Sequence, residues 1–359
     1  MNHLLKVITF NLLSPPLCNP KEYIDYPEDH LNRSKRKAKI LSLIEEWSSW
    51  YDQPIICLQE IPYIWKQDIE RIVSAKDYKF FCMNYGSKYN GIFGVGIAVP
   101  GFYKVLRVEY LLVSEYIKTR DAEIVYEREA SQYYRILKDI SYFLRKVEET
   151  GEENFGGLMI EDVKKILKSI PQQNREKDLP RIHEQISEAK AKNNFTIRLK
   201  LADELNKKFI IYNYHLPCAF KRPVVQTLHI NALKYLMSEH SEIPTIFAGD
   251  LNIRPNSIGY NYLTNGQLPD DHLNFLMSRE YCDLNIKSSF NIFYENEPEF
   301  TCFSNTKYGG EFKDCLDYIM INDLLCVLGS ELLLTSENKM PNDICPSDHL
   351  PLCSILSIK

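Results

Sequence analysis

No apolar run in this 359-residue chain approaches the roughly 18 residues that a membrane-spanning helix needs. The stretch Leu4 to Leu13 is interrupted by Lys6 and Asn11 and makes a poor core for a secretory leader. Ordered cysteines are missing as well. The 10 cysteines contain no CxxC pair and no regular spacing, so the sequence suggests neither a zinc cluster nor a disulfide framework. A basic excess is also absent: the net charge of -5 and a pI near 6.0 exclude coating of long nucleic acid by bulk electrostatics, while a local basic groove stays open. There is no internal repeat or low-complexity tract, and 45% hydrophobic with 25% charged residues is the composition of a globular chain. These absences predict an unanchored intracellular protein with reduced thiols, cytoplasmic first and nuclear second.

What the chain does carry is a series of short β-rich runs that end at loops. Val7 to Leu13 ends at Ser14-Pro15-Pro16, and Pro54 to Leu58 ends at Gln59-Glu60. Between them, Ile40, Leu43, Ile44 and Trp47 recur at helical spacing within Arg36 to Trp50, giving a strand, helix, strand opening. Val95 to Val99, Tyr103 to Val113, Phe195 to Leu201, Lys208 to Tyr214 and Thr245 to Ala248 continue the strands. Leu316 to Ile321, Glu331 to Thr335 and Leu350 to Ile358 complete them. Gln226 to Ser238 and His272 to Arg279 read as helices. This alternation predicts an α/β fold, a two-sheet β-sandwich flanked by helices, in one domain over residues 1–359.

One stretch breaks the rhythm. Ile124 to Asn193 is charged and helix-like, with apolar positions Tyr134, Leu137, Ile140 and Leu144, then Ile160, Val163, Ile166 and Leu167, punctuated by Gly151 and Gly156-Gly157. It is read as a helical insertion, residues 124–193, whose mixed charges suit a solvated lid better than a nucleic-acid arm.

The polar residues at the strand ends carry the chemistry. Asn11 closes the first strand, where turn capping and a chemical role are both open. Glu60 ends a buried strand and must be paired, solvated or metal-bound. Asp250 and Asn252 are two residues apart, so in extended backbone they share one face. His215 follows Phe209 to Tyr214 and suits either a structural role or contact with a phosphate. Asp317 lies inside Cys315-Leu316-Asp317-Tyr318-Ile319-Met320, where an unpaired charge costs on the order of several kcal/mol. His349, in Ser347-Asp348-His349, is its expected partner; a carboxylate grip fixes the ring tautomer and favours the protonated imidazole. Together these groups can hold a hard metal ion and move protons around a phosphate. Arg33-Ser34-Lys35-Arg36-Lys37-Ala38-Lys39 has the look of an import or phosphate patch but reads better as the solvated face of a helix. Gly91, Gly94 and Gly96 read as entry into a strand.

Six short motifs occur in order: Thr9-Phe10-Asn11, Leu58-Gln59-Glu60, Tyr214-His215-Leu216, Gly249-Asp250-Leu251-Asn252, Leu316-Asp317-Tyr318 and Ser347-Asp348-His349. Their order and contexts resemble the endonuclease/exonuclease/phosphatase superfamily with its DNase I-like fold. The chain looks most like the CCR4-type branch of deadenylases, nocturnin-like phosphatases and 2',5'-phosphodiesterases, through Tyr26-Pro27, Arg36, Ile40, Pro255-Asn256-Ser257, Phe312-Lys313 and Pro346. Pro62, Asp314 and the insertion depart from that branch.

The resemblance implies Mg²⁺, replaceable by Mn²⁺, held by Glu60 with Asn11 close by and Asp348 near a second ion. It implies that Asp250 handles the attacking water, that Asn252 and His215 bind phosphate oxygens, and that Asp317 and His349 stabilise developing charge. Phe312 would stack on a terminal base. The expected activity is 3'-5' hydrolysis of poly(A) or adenylate-rich RNA, with a recruiting protein engaged through the insertion and no membrane. The alternatives are a 2',5'-oligoadenylate or tyrosyl-DNA phosphodiesterase, a nucleotide phosphatase, or an inactive scaffold.

Overall fold

The computed structural model describes residues 4–86, 91–117, 154–155, 158–159, 184–266 and 284–359. The strands among the described residues are, in chain order, β1 (Leu4–Asn11), β2 (Ile55–Pro62), β3 (Tyr78–Tyr85), β4 (Phe93–Pro100), β5 (Lys104–Leu112), β6 (Asn154–Phe155), β7 (Leu158–Met159) and β8 (Phe195–Ala202). The second half holds β9 (Lys208–His215), β10 (Thr245–Asp250), β11 (Ile286–Ser288), β12 (Cys302–Thr306), β13 (Gly310–Asp314), β14 (Asp317–Asn322), β15 (Leu325–Leu332) and β16 (Leu352–Ile358). The chain divides into two units, one made of Met1–Ile117, Glu188–Leu268 and Glu280–Lys359, the other of Lys118–Ser187 and Pro269–Arg279.

The first unit contains the expected sandwich. One six-stranded sheet runs β15-β16-β1-β2-β4-β3, the other β11-β14-β10-β9-β8-β5. Period-two alternation explains why they stack. Leu5 and Val7 of β1, Ile55 and Cys57 of β2 and Val95 and Ile97 of β4 meet Leu199 of β8, Ile211 of β9, Ile246 and Ala248 of β10 and Ile319 of β14 in one apolar core. The intervening residues Ile8, Phe10, Ile56 and Leu58 face outward against Ile40, Ile44, Trp47, Trp65, Ile69 and Val73 of the Arg33–Ser48 helix and the Tyr63–Ser74 segment.

Local chemistry sets the helix ends. The Asn32 side chain accepts hydrogen bonds from the Ser34 and Lys35 amides and caps Arg33–Ser48. Pro223 opens Pro223–Ser238 at a position where its missing N–H costs nothing. Ser257 caps Ile258–Asn265, which stops at left-handed Gly266.

The structure departs from the sequence reading in several places. The strand expected at Glu331 to Thr335 is instead Leu325–Leu332, because pairing with β16 ends at Leu332↔Leu352. Leu333 then packs with the outer helix cluster and Leu334 beside Met340, so this leucine run serves packing off the sheet. β3, the β12–β13 hairpin and the Lys66–Ser74 helix were not anticipated. Arg36, assigned to a solvated helix face, is only 2% exposed. Its guanidinium donates to the Leu12, Leu13 and Pro346 carbonyls, whereas Arg33 and Lys35 beside it are exposed. Most of the expected helical insertion, and the helix expected at His272 to Arg279, lie outside the described residues. Within it, β6 and β7 pair antiparallel and residues 184–191 are helical.

Candidate active site

The inward-facing rows of the sandwich turn from apolar to polar at a common end. Along β1, Leu5 and Val7 give way to Thr9 and Asn11; along β9, Phe209 and Ile211 give way to Asn213 and His215; along β10, Ile246 and Ala248 give way to Asp250. β14 runs antiparallel to β10 and enters with Asp317 before Ile319. The ladder therefore sets Asp250 opposite His215 on one side and Asp317 on the other. Beneath these groups, an amide pair spans the two sheets. Gln59 Nε2 donates to Asn213 Oδ1 at 2.8 Å and to Thr9 Oγ1 at 3.0 Å, and Asn213 Nδ2 reaches the Leu58 and Gly96 carbonyls at 2.9 and 2.7 Å.

Glu60 reaches this place only because β2 breaks its own alternation. Strict period two would turn it toward the helices with Ile56 and Leu58. Pairing with β4 is irregular between Leu58 and Ile61, and Glu60 adopts φ 53°, a left-handed value that re-aims the side chain. Its Oε1 then accepts from Asn11 Nδ2 at 3.2 Å and its Oε2 from the Ser14 amide at 2.8 Å. Gly249, at φ 149°, lies where an added Cβ would come within 1.9 Å of the Tyr214 carbonyl oxygen, so β10 can approach β9 only with glycine there.

Asp250 is the hub. Its Oδ2 accepts from Asn11 Nδ2 at 2.9 Å and lies 3.5 Å from His215 Nε2 and 3.8 Å from His349 Nε2, while Oδ1 accepts from the Asn252 amide at 2.9 Å. Burial holds the Asp250 carboxyl above the ordinary carboxylate range, against the pull of His349. Asn252, itself at φ 48°, donates one amide hydrogen to the Leu216 carbonyl.

His349 Nδ1 is 2.7 Å from Asp317 Oδ2, and Asp317 is fully buried. Burial disfavours charge on the ring, but the Asp317 carboxylate, joined by Cys302 and Asp250, outweighs it and holds the imidazole well above its usual value. Thr301 fixes that carboxylate: its hydroxyl donates to Asp317 Oδ2 at 2.6 Å and accepts from the Leu316 and Asp317 amides. Asp348, 14% exposed at its side chain, is pushed up to about 6 by burial, opposed by His349 and reinforced by Glu60. Its Oδ1 is buried without a hydrogen-bond partner.

The expected residues Asn11, Glu60, His215, Asp250, Asn252, Asp317, Asp348 and His349 thus converge. An orphaned carboxylate oxygen on Asp348, with hard oxygens on Glu60 and Asn11 nearby, fits a hard divalent ion. Side chains close enough to share an ion occur as Asp250-Asp317-His349 and, with a thiol, as Cys302-Asp348-His349 among the described residues, and Glu60 belongs to neither group.

Phe312 lies on β13 in an aromatic cluster with Phe220 at 5.5 Å between ring centroids. The Arg254 guanidinium lies 5.1 Å from the Phe312 ring and 5.7 Å from the Phe220 ring, and Asp314 Oδ2 holds Arg254 Nε at 3.1 Å. A groove of about 980 Å³, lined by Ser14, Pro15, Arg33, Tyr63 and Ile92, opens beside the end of β2 that carries Glu60. Sequence reading did not single out Thr301, Asn213, Phe220 or Arg254. Only Asn213 left a signal, as an amide two residues before His215 on an inward row.

The profile of the Endonuclease/Exonuclease/phosphatase family matches residues 8–349. The chain belongs to this family. RNA exonuclease NGL1 of Saccharomyces cerevisiae is 23% identical over 393 residues, covering 98% of this chain and 92% of that protein. The 2',5'-phosphodiesterase 12 of Rattus norvegicus is 27% identical over 175 residues, which cover 45% of this chain and 28% of that relative. The solved structure of ANGEL2, a 2',3'-cyclic phosphatase in complex with adenosine-2',3'-vanadate, superposes with a TM-score of 0.65 at 17% identity, covering 99% of this chain and 96% of that one. Two mixed six-stranded sheets flanked by helices are the fold they share. Among the described residues, no helix is long and apolar enough to cross a membrane.

Proposed function

We propose that this chain is a metal-dependent phosphodiester hydrolase that shortens RNA from its 3' end, with poly(A) or adenylate-rich RNA as substrate. One observation carries the reading: Asp250 Oδ2 faces an amide and two imidazoles, one of them gripped by a buried carboxylate. Glu60, Asn11 and Asp348 would hold a divalent ion, which when bound neutralises charge on the phosphoryl oxygens. Asp250 Oδ2 takes the proton of the attacking water. His215 Nε2 and the remaining amide hydrogen of Asn252 donate to the phosphate oxygens. His349, with its Nδ1 hydrogen on Asp317, donates from Nε2 to the oxygen where negative charge builds.

Phe312, Phe220 and Arg254 supply stacking surface for a base, an interaction that tolerates sequence and contributes roughly 1–3 kcal/mol. The groove beside Glu60 gives a flanking nucleotide room. The similarity to the rat phosphodiesterase supports a second reading on the same site, hydrolysis of 2',5'-linked oligoadenylate. One assay separates them: 5'-labelled 3',5'-poly(A), 2',5'-oligo(A), mixed RNA, single-stranded DNA and 5'-tyrosyl DNA, each with Mg²⁺ or EDTA. Stepwise 3' shortening of poly(A) that EDTA abolishes supports the first reading. Intact poly(A) beside rapid cleavage of the 2',5'-linked oligomer selects the second, and no turnover on any of them overturns both.

A further inference from the structure

Cys302 lies far in sequence from the adjacent Asp348 and His349 and is brought to them by an isolated antiparallel bridge between Cys302 and His349, with the Phe303 amide on the Asp348 carbonyl at 3.0 Å. One ligand atom from each of the three lies within 4.8 Å of the other two. Cys302 and His349 are buried and Asp348 is half-buried, and the Asp348 oxygen facing His349 Nε2 at 3.9 Å has no hydrogen-bond partner. A thiol, a carboxylate and an imidazole form the donor set of a borderline-soft ion, which a hard ion such as Mg²⁺ does not favour. Donors sharing one tetrahedral ion stand about 3.3–3.8 Å apart, given metal–ligand bonds of ~2.0–2.3 Å, so closure by about an ångström completes the set.

Asp317 adds a second reason. A metal-ligating histidine characteristically gives its other ring hydrogen to a carboxylate, which orients the ring and raises its basicity. His349 Nδ1 already has that partner at 2.7 Å, leaving Nε2 between Asp348 Oδ1 at 3.9 Å and Asp250 Oδ2 at 3.8 Å.

We infer that Cys302 Sγ, Asp348 Oδ1 and His349 Nε2 form an inhibitory site for a thiophilic divalent cation, Zn²⁺ or Cd²⁺, with solvent at the fourth position. Binding forms metal–sulfur, metal–oxygen and metal–nitrogen bonds with no change of oxidation state; the Cys302 thiol proton and any proton on His349 Nε2 leave to the buffer. The ion removes His349 and Asp348 from phosphodiester chemistry, so the inhibition, though not the binding, rests on the function proposed above.

The test has two arms on the full chain. In the first, metal-free protein is titrated with Cd²⁺ and the ultraviolet thiolate-to-metal charge-transfer band is followed. Wild type develops the band at stoichiometric Cd²⁺; Cys302→Ser and Asp348→Asn each lose that component, and Cys218→Ser, at an exposed thiol, keeps it. In the second, hydrolysis at saturating Mg²⁺ is titrated with Zn²⁺. Cys302→Ser keeps its Mg²⁺-supported rate and needs at least ~10-fold more Zn²⁺ for half inhibition, the scale of losing one metal contact. A band unchanged in both Cys302→Ser and Asp348→Asn overturns the site, even where Cys302→Ser alone misfolds. Equal Zn²⁺ sensitivity of folded Cys302→Ser and wild type overturns the inhibition. Failure of hydrolysis on every substrate touches only the functional reading, because the spectral arm needs no turnover.

Discussion

His349 Nδ1 and Asp317 Oδ2 meet at 2.7 Å inside the sandwich, and the Thr301 hydroxyl binds the same carboxylate oxygen at 2.6 Å. The imidazole is therefore held in one orientation, and its charged form is favoured by a carboxylate that has no access to solvent.

Asp317→Asn keeps the shape and removes the charge. It should lower kcat by roughly 10²–10⁴-fold. Because Asp317 is the largest of the groups that hold His349 above its ordinary range, the alkaline limb of the pH–rate profile should move to lower pH. A profile displaced to higher pH, or an unchanged rate, would contradict the role given to the pair. Thr301→Val, which strips the hydroxyl from that carboxylate, should shift the same limb in the same direction by less.

Metal affinity should fall on acidification through pH 6. The Asp348 carboxyl, pushed up to about 6 by burial, must lose its proton to bind a cation, so below that pH proton and metal compete. Calorimetric Mg²⁺ titrations at pH 5 and pH 7.5 should show weaker binding at the lower pH, and Asp348→Asn should flatten the difference. Glu60→Ala should reduce hydrolysis by at least ~10²-fold at any pH, as expected for a positioned metal or acid-base group.

Away from the site, His229 predicts an acid-linked loss of stability. Its ring is buried, accepts from the Tyr214 hydroxyl at Nδ1 and donates to the Ala189 carbonyl from Nε2, and burial pulls its pKa down to about 4. The unfolded chain binds a proton near pH 6.5 that the folded chain refuses until about pH 4, so stability is full above 6.5 and declines as pH falls. The loss through that window is on the order of 3 kcal/mol, from 1.36 kcal/mol per pKa unit. Urea midpoints at pH 7 and pH 4.5 should separate for wild type and converge partly in His229→Gln.

Phe312→Ala should raise KM for oligo(A) by roughly 5- to 150-fold, corresponding to 1–3 kcal/mol of lost stacking, with a smaller effect on kcat. Phe220→Ala and Arg254→Ala should act in the same direction, since both pack on that ring. Rates unchanged with saturation unchanged would remove the aromatic cluster from the binding surface.

Much of this centre was readable because polar residues interrupt the inward rows of β-strands at their ends, and Asn11, His215, Asp250 and Asp317 all obey period two. Glu60 was found for a different reason, since alternation alone sends it to the wrong face and only the irregular, left-handed backbone at that residue turns it inward. Thr301 left no trace because a threonine in a loop looks alike whether it is solvated or completes a carboxylate's hydrogen bonds. Arg36 was misread because the first turns of its helix are charged nearly all round, and what buries it is the loop before β16, far along the chain. The Cys302 cluster was equally invisible, since spacing rules find ligands close in sequence and a bridge between distant loops assembles this one.

The amide pair between Gln59 and Asn213 has a mechanical meaning. Asn11 and Glu60 belong to one sheet, while His215, Asp250 and Asp317 belong to the other, so the reacting groups are split across the seam that those two amides pin. A slip of one layer over the other would leave each half intact and pull the halves out of step. Turnover therefore serves as a gauge of layer alignment, and substitutions at Gln59 or Asn213 should register as lost rate before they register as lost structure.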